Sequence, residues 1–405
     1  MSDTDFTRNR TLTFPVMVAA LAQGLVKGLQ TELDDFFGKL AGQASFMRQA
    51  SKSAFSQARR KLKPAVFASL NHMLLDAWYR HVDPPRWRGL RLVAADTTTL
   101  RLHKLPEVAE QYGCHGDRWG GEAPMAQAIG LFDVTSRLML HAQLAPAASR
   151  ERALLADCLH HVQGDDLLLL DRGFPAYWLF AWLLEQGKSF CMRVDGVMSR
   201  EMEDFAYRSQ ASETVLDFVI PAPALRRAQQ QGYTLTQPSF RLRLIRIPLK
   251  GGRTEILITS LLDSDRYPAA DFAALYHQRW RIEECFKLLK CRLAVEHFSG
   301  ELPESIEQDF LAKVWLSNLA ATMSGLARLS GELVAETIPN LTYALSALRA
   351  ALPQLMLRPR AVSKLAAATG RLITKTVEIA RPGRSFPRTR QKVKPVKARA
   401  YKGLR

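Results

Sequence analysis

Residues 92–96, Leu92-Val93-Ala94-Ala95-Asp96, and residues 167–171, Leu167-Leu168-Leu169-Leu170-Asp171, share one design: a short apolar run that stops at an aspartate. A run of this length suits a strand covered on both faces. Between and after the two, Met125 to Val134 and Leu138 to Leu144 read as strands joined by a turn at 133–137, and Ser189 to Val194 as a fifth strand. Ser149 can cap a helix running to about Val162, and Pro175 opens a helix that Gly187 closes. The Gly-rich segment 104–125 reads as an irregular loop. The resulting order, β-β-β-α-β-α-β, belongs to the α/β class and suits a mixed sheet with helices on its faces. Asp96 and Asp171 then sit at the carboxyl ends of strands, where such sheets gather their functional groups.

The flanks read differently. Residues 1–88 are helical: Pro15 fits a first turn, and Leu21, Leu25, Leu29, Leu33 and Phe36 recur at helical spacing. A short helix over 54–62 carries Arg59-Arg60-Lys61 and ends before Pro64; a second runs to about Tyr79. The basic triplet offers either a DNA-contacting face or a solvated one. Residues 195–262 break the alternation. Phe240 to Pro248 and Glu255 to Leu261 alternate around Gly251-Gly252 as a β-hairpin, so the segment reads as a β-rich insertion. Helix returns over 270–293 and continues to about residue 377. Residues 381–405 hold ten basic residues, three prolines and no acid, the composition of a disordered basic tail.

Across 405 residues, 56 Lys and Arg stand against 39 Asp and Glu, a net charge of +17. That balance favours a polyanionic partner, nucleic acid or an anionic membrane surface. The tail supplies ten of those charges, so much of the excess is local. The 47% hydrophobic content is that of a globular chain. Five cysteines are scattered with no CxxC pair, which supports neither a disulfide framework nor a zinc site and fits reduced thiols in a cytoplasmic compartment. No apolar stretch reads as a signal peptide or a membrane span.

On a continuous helix over 270–293, Tyr276, Arg279, Glu283 and Lys290 fall within an arc of about 60°. Phe272, Leu275, Ile282, Phe286, Leu289 and Leu293 form a neighbouring apolar stripe. Taken alone, the polar row is that of any amphipathic helix with surface ion pairs. Two strand-end aspartates and a helix glutamate are different, because they make three carboxylates that can converge. Converging carboxylates repel one another unless a cation lies between them. Mg²⁺ is the natural choice, since it takes oxygen ligands and leaves room for phosphate and water. Two such ions about 4 Å apart support phosphodiester cleavage without a covalent protein intermediate. No HExxH pair, Walker loop, GxSxG elbow or GxGxxG after a strand is present, so the competing chemistries are weaker.

Tyr276-x2-Arg279-x3-Glu283-x6-Lys290 resembles the Tyr-Arg-Glu-Lys signature of the insertion-sequence-four type of bacterial DDE transposases. Asp96-Thr97-Thr98 and Asp171-Arg172-Gly173-Phe174 resemble that family's first and second aspartate motifs. His297-Phe298-Ser299-Gly300 and the stretch 303–310 are similar to the same group. The resemblance covers residues 91–390. It implies an RNase H-like catalytic core over 89–330 with the insertion at 195–262. Around it lie a helical N-terminal DNA-binding domain over 1–88, a helical C-terminal region over 331–380 and the tail. It implies catalytic, Mg²⁺-binding roles for Asp96, Asp171 and Glu283, with two ions that Mn²⁺ can replace. It implies DNA contacts by Tyr276, Arg279 and Lys290, with Arg193 as a further contact. The partners it implies are transposon ends and target DNA, met by a homodimer in a synaptic complex. Some members stack a flipped base on an aromatic of the insertion, and no tryptophan lies between Trp182 and Trp280 here. Two other readings keep part of this picture: a structure-specific nuclease or resolvase, and a catalytically silent DNA-binding protein derived from a transposase.

Overall fold

The two aspartate-bearing runs lie side by side in one sheet. The computed structural model describes residues 5–6, 10–116, 122–194, 198–249, 253–329 and 337–379. Four helices come first: α1 (Phe14–Ala22), α2 (Leu29–Ala41), α3 (Lys52–Arg59) and α4 (Ala65–His81). The sheet begins with β1 (Arg91–Arg101), α5 (Pro106–Tyr112), β2 (Cys114–Gly116), β3 (Glu122–Asp133) and β4 (Leu138–Pro146). It continues with α6 (Glu151–Cys158), β5 (Asp166–Leu170), α7 (Tyr177–Glu185) and β6 (Ser189–Val194). β1 pairs antiparallel with β3, and β3 with β4, while β5 lies parallel between β1 and β6. Three antiparallel strands followed by two parallel ones, with β1 in the middle, is the RNase H-like arrangement.

Period-two alternation sorts the side chains into two cores. Ala94, Leu167, Leu169 and Cys191 face one way, against Ile282, Phe286 and Leu289. Val93, Ala95, Leu168 and Leu170 face the other way, against Leu154, Leu155, Leu179 and Phe180.

The insertion extends the same sheet. It comprises α8 (Arg200–Tyr207), β7 (Glu213–Val219), α9 (Ala222–Gln230), β8 (Ser239–Pro248) and β9 (Thr254–Thr259). β9 pairs antiparallel with β6, so the order runs β6-β9-β8-β7 and, among the described residues, the sheet has nine strands. After it come α10 (Phe272–His277), α11 (Trp280–Cys291), α12 (Pro303–Leu329), β10 (Thr337–Pro339), α13 (Leu341–Leu357), α14 (Val362–Lys375) and β11 (Val377–Ile379). Met17, Phe36, Phe55 and Phe67 share one apolar cluster with Phe310, Leu316, Leu345 and Leu348. The helices at both ends of the chain thus close over the sheet face that α11 also covers.

Several expectations are corrected. The segment 104–125 contains α5 and β2 rather than only a loop; Pro106 sits in the first turn, where its missing N–H costs nothing. The insertion holds two helices beside its strands. Ser149 does not cap α6, whose cap residue is Arg150. β1 does not stop at Asp96, because the β-branched Thr97-Thr98-Thr99 carries the pairing with β3 on to Arg101. The expected turn at Gly251-Gly252 and the basic tail 381–405 lie outside the described residues. No helix of the described residues is long and apolar enough to cross a membrane.

Candidate active site

Strand register brings the aspartates together. β1 and β5 are paired in parallel up to Ala94 opposite Leu169. Asp96 and Asp171 each lie two residues further on. Asp96, within β1, and Asp171, one residue past the end of β5, therefore stand at the same level of neighbouring strands, which are about 4.8 Å apart in any sheet. Two residues on is also one full period, so both side chains leave the sheet on the face that α11 covers. The register partner of Asp96 on β3 is Gly130. A Cβ there would lie 2.8 Å from Met139 Sδ and 3.1 Å from Phe286 Cζ, so the glycine lets α11 settle directly beside Asp96.

The helix expected over 270–293 is two helices. Gln278 and Arg279 keep helical dihedrals. Their amides, however, donate to Leu275 and Tyr276, three residues back rather than four. This tighter turn separates α10 from α11 and places Glu283 in the first turn of α11, where the helix dipole favours a negative charge. The predicted apolar stripe, Phe272 to Leu293, is buried throughout.

Asp171 and Glu283 both act on Asp96. Burial, together with the charges of Asp171 and Glu283, pushes the Asp96 carboxyl up to about 7 from 3.8. The Thr97 amide, which donates to Asp96 Oδ1 at 2.8 Å, and the Arg279 guanidinium work against that rise. Arg279 Nη1 is 3.7 Å from Asp96 Oδ2, and Nη2 donates to Glu283 Oε1 at 2.8 Å. Arg279 is 5% exposed, and its Nε and Nη1 have no hydrogen-bond partner among the described residues. Buried donors are rarely left so.

The other predicted residues take varied places. Tyr276 is buried on α10, and its hydroxyl donates to the Leu170 carbonyl at 3.0 Å, one residue before Asp171. Lys290 Nζ donates to the Thr99 carbonyl at 2.8 Å, which fastens the end of α11 to β1. Arg193 on β6 pairs with Glu255 of β9 at 2.9 Å, toward the insertion. Sequence reasoning missed two groups. Gln127 donates to the Thr97 hydroxyl at 3.1 Å. Glu151, the first residue of α6, accepts a hydrogen bond from that same hydroxyl. Neither belongs to a motif; only the register of β1 with β3 and the approach of α6 reveal them.

The Asp96 shift has a measurable consequence. In the unfolded chain this carboxyl ionises near 3.8 and in the folded protein near 7. Between those values the folded state keeps a proton that the unfolded state has released. The contribution to stability is therefore fully present below about pH 4 and lost as pH rises through 7. Asp96→Asn should stabilise the protein in EDTA by on the order of 2–4 kcal/mol at pH 8, since one pK unit is about 1.4 kcal/mol, and by little at pH 4. Calorimetric melting of both proteins from pH 4 to 8 checks this; parallel curves would mean that the carboxyl ionises normally.

Among the described residues, no three His, Cys, Asp or Glu side chains stand as a ready-made metal cage. Asp96 and Glu283 share the Arg279 guanidinium as their cation instead. The donor chemistry nevertheless fits a divalent ion. The three acids offer oxygen donors, and the charges of Asp171 and Glu283 disfavour the ionised form of Asp96, which a divalent cation would offset.

The sheet gathers acids beside α11, and the chain belongs to the transposase DDE domain family, which residues 87–319 match. Transposase InsG for insertion sequence element IS4 of Escherichia coli K-12 is 24% identical over 274 residues, 66% of this chain and 60% of its own. The chain thus spans less than two thirds of the length of that relative. InsZ of the same organism is 26% identical over 144 residues, 35% of this chain and 48% of its own. Among solved structures, a piggyBac transposase synaptic complex with hairpin DNA aligns over 92% of this chain and 77% of its own, at 12% identity and a TM-score of 0.45.

Proposed function

We propose that this protein is a metal-dependent transposase that binds the terminal inverted repeats of an insertion sequence, cuts the DNA at both ends and joins the freed ends to target DNA. The observation that carries the reading is the placement of Asp96 and Asp171 at one level of neighbouring parallel strands, with Glu283 coupled to Asp96 through Arg279. Asp96, Asp171 and Glu283 would hold two Mg²⁺ ions, which Mn²⁺ could replace. Bound there, the ions would activate a water or 3′-hydroxyl and stabilise the leaving oxygen.

The remaining roles belong to the chain itself. Arg279 has two spare donors and would take a DNA phosphate once its carboxylates are neutralised. Lys290, held to β1, and Arg193, on β6, would follow the phosphate backbone. Tyr276 would reach a phosphate only by giving up the Leu170 carbonyl; while that bond lasts it holds α10 against the strand end. Two ends joined in one event call for a homodimer in the synaptic complex. The excess of positive charge makes binding steeply salt-dependent.

The test is cleavage and joining of linear DNA that carries the inverted repeats flanking the gene, in Mg²⁺ or Mn²⁺. Nicking at the repeat ends and strand-transfer products are expected, with none in EDTA. Preferential cutting of branched DNA would instead select a structure-specific nuclease. Binding with no cutting of any end-containing DNA would select a catalytically silent DNA-binding protein.

A further inference from the structure

We infer that Glu151 is a positioning residue of this site, a fourth carboxylate that ties the strand carrying Asp96 to the turn carrying Asp171 from the far face of the sheet. The inference rests on the metal-site reading given above.

An acid in the first turn of a helix ordinarily needs no explanation beyond the dipole, and it faces water. Glu151 is half-buried, with one oxygen turned toward β1 and the other toward the turn after β5. One accepts the Thr97 hydroxyl. Thr97 stands on the opposite side of β1 from Asp96, yet its backbone amide donates to Asp96 Oδ1 at 2.8 Å. A pull on the Thr97 side chain is therefore transmitted to the carboxylate next to it. The other oxygen lies 3.0 Å from where a Cβ on Gly173 would be, and Asp171 Oδ1 lies 3.0 Å from the same point. Glu151 and Asp171 thus flank one backbone position, and Gly173 admits both by having no side chain. Its amide in turn donates to Asp171 Oδ1 at 2.8 Å.

The neighbouring residue fastens the same helix end to the same turn, since Arg152 Nε donates to the Phe174 carbonyl at 2.9 Å. Gln127, which donates to the Thr97 hydroxyl at 3.1 Å, leaves that hydroxyl's proton for Glu151. Carboxylates brought this close to Asp171 repel it, so a placement serving packing alone would favour an apolar residue here. A group that orients the ligands of a metal site explains it, because outer partners fix the geometry that inner ligands need.

The measurement is Mn²⁺ binding to the full-length protein without DNA, by titration calorimetry, with circular dichroism and thermal melting as folding controls. Glu151→Ala should weaken binding about 10–100-fold, the usual effect of losing an outer partner. Glu151→Gln should stay close to wild type, because the amide oxygen still accepts from Thr97. Thr97→Val should reproduce the loss, and adding it to Glu151→Ala should change nothing more, since both remove one connection. Should Glu151→Ala not fold, Thr97→Val and Glu151→Gln decide the matter between them. Wild-type binding in both Glu151→Ala and Thr97→Val, with binding lost in Asp96→Ala, overturns this inference alone. Glu151→Gln falling as far as Glu151→Ala also overturns it, because charge rather than the connection would then matter. Mn²⁺ binding indifferent to Asp96→Ala overturns the metal reading, and this inference with it.

Discussion

Alanine at Asp171 should abolish end cleavage, by about a thousandfold or more, while affinity for the end DNA stays close to wild type. Removing a carboxylate that holds a catalytic cation forfeits several kcal/mol of transition-state stabilisation, and about 1.4 kcal/mol is tenfold in rate. Asp96→Ala and Glu283→Ala should behave alike, and a pair of these substitutions should cost little more than one, since groups acting as a unit are far from additive. Binding is spared because the acids repel the DNA backbone rather than hold it. A gel-shift titration and a single-turnover cleavage assay on the same substrate separate the two effects. Cleavage retained within tenfold in any one variant would remove that residue from the catalytic set.

The largest stability effect is expected far from the acids. Arg59 of α3 is 3% exposed and makes four directed contacts. Its Nε donates to Gln308 Oε1 at 2.6 Å, Nη1 to Ser299 Oγ at 2.7 Å, and Nη2 to the Ser305 carbonyl at 2.6 Å and Asp309 Oδ1 at 2.8 Å. Asp309 is 2% exposed and also accepts from the Ser299 amide and hydroxyl. Arg59→Ala would strand a buried carboxylate with only Ser299 for support, at a cost of about 3–5 kcal/mol. Arg59→Lys keeps the charge but not the planar fork, and should recover only part of that loss. Urea denaturation of the three proteins measures both. A loss below about 1 kcal/mol in Arg59→Ala would mean that α3 does not depend on this pair.

That residue also shows where sequence stops being informative. In Arg59-Arg60-Lys61 all three side chains look alike, yet Arg59 is buried and ion-paired while Arg60 and Lys61 are exposed. Its partners lie 240 to 250 positions away, on α12 and just before it, and nothing local announces them. The aspartates were legible for the opposite reason. A hydrophobic run ending in an acid is a local pattern, and parallel pairing turns two such runs into neighbours. The apolar stripe from Phe272 to Leu293 was legible by periodicity. The tightened turn at Gln278 and Arg279 was not, since both residues keep ordinary helical dihedrals and no proline or glycine marks the break. Glu151 was invisible because its partners come from β1 and the turn after β5, brought to it only by the crossing of α6. Two of the insertion's three strands could be read from alternation, but the joining of β9 to β6 depends on pairing, which a single chain does not encode locally.

The matched count of residues from Ala94 to Asp96 and from Leu169 to Asp171 acts as a ruler with no tolerance. One residue added or lost within either interval would swing an acid to the α6 side, where Thr97 now points. Length can drift freely only where no face is being counted, as in the connections between the insertion's elements. Lineages of this fold can therefore lengthen their outer sheet while these two intervals stay the same.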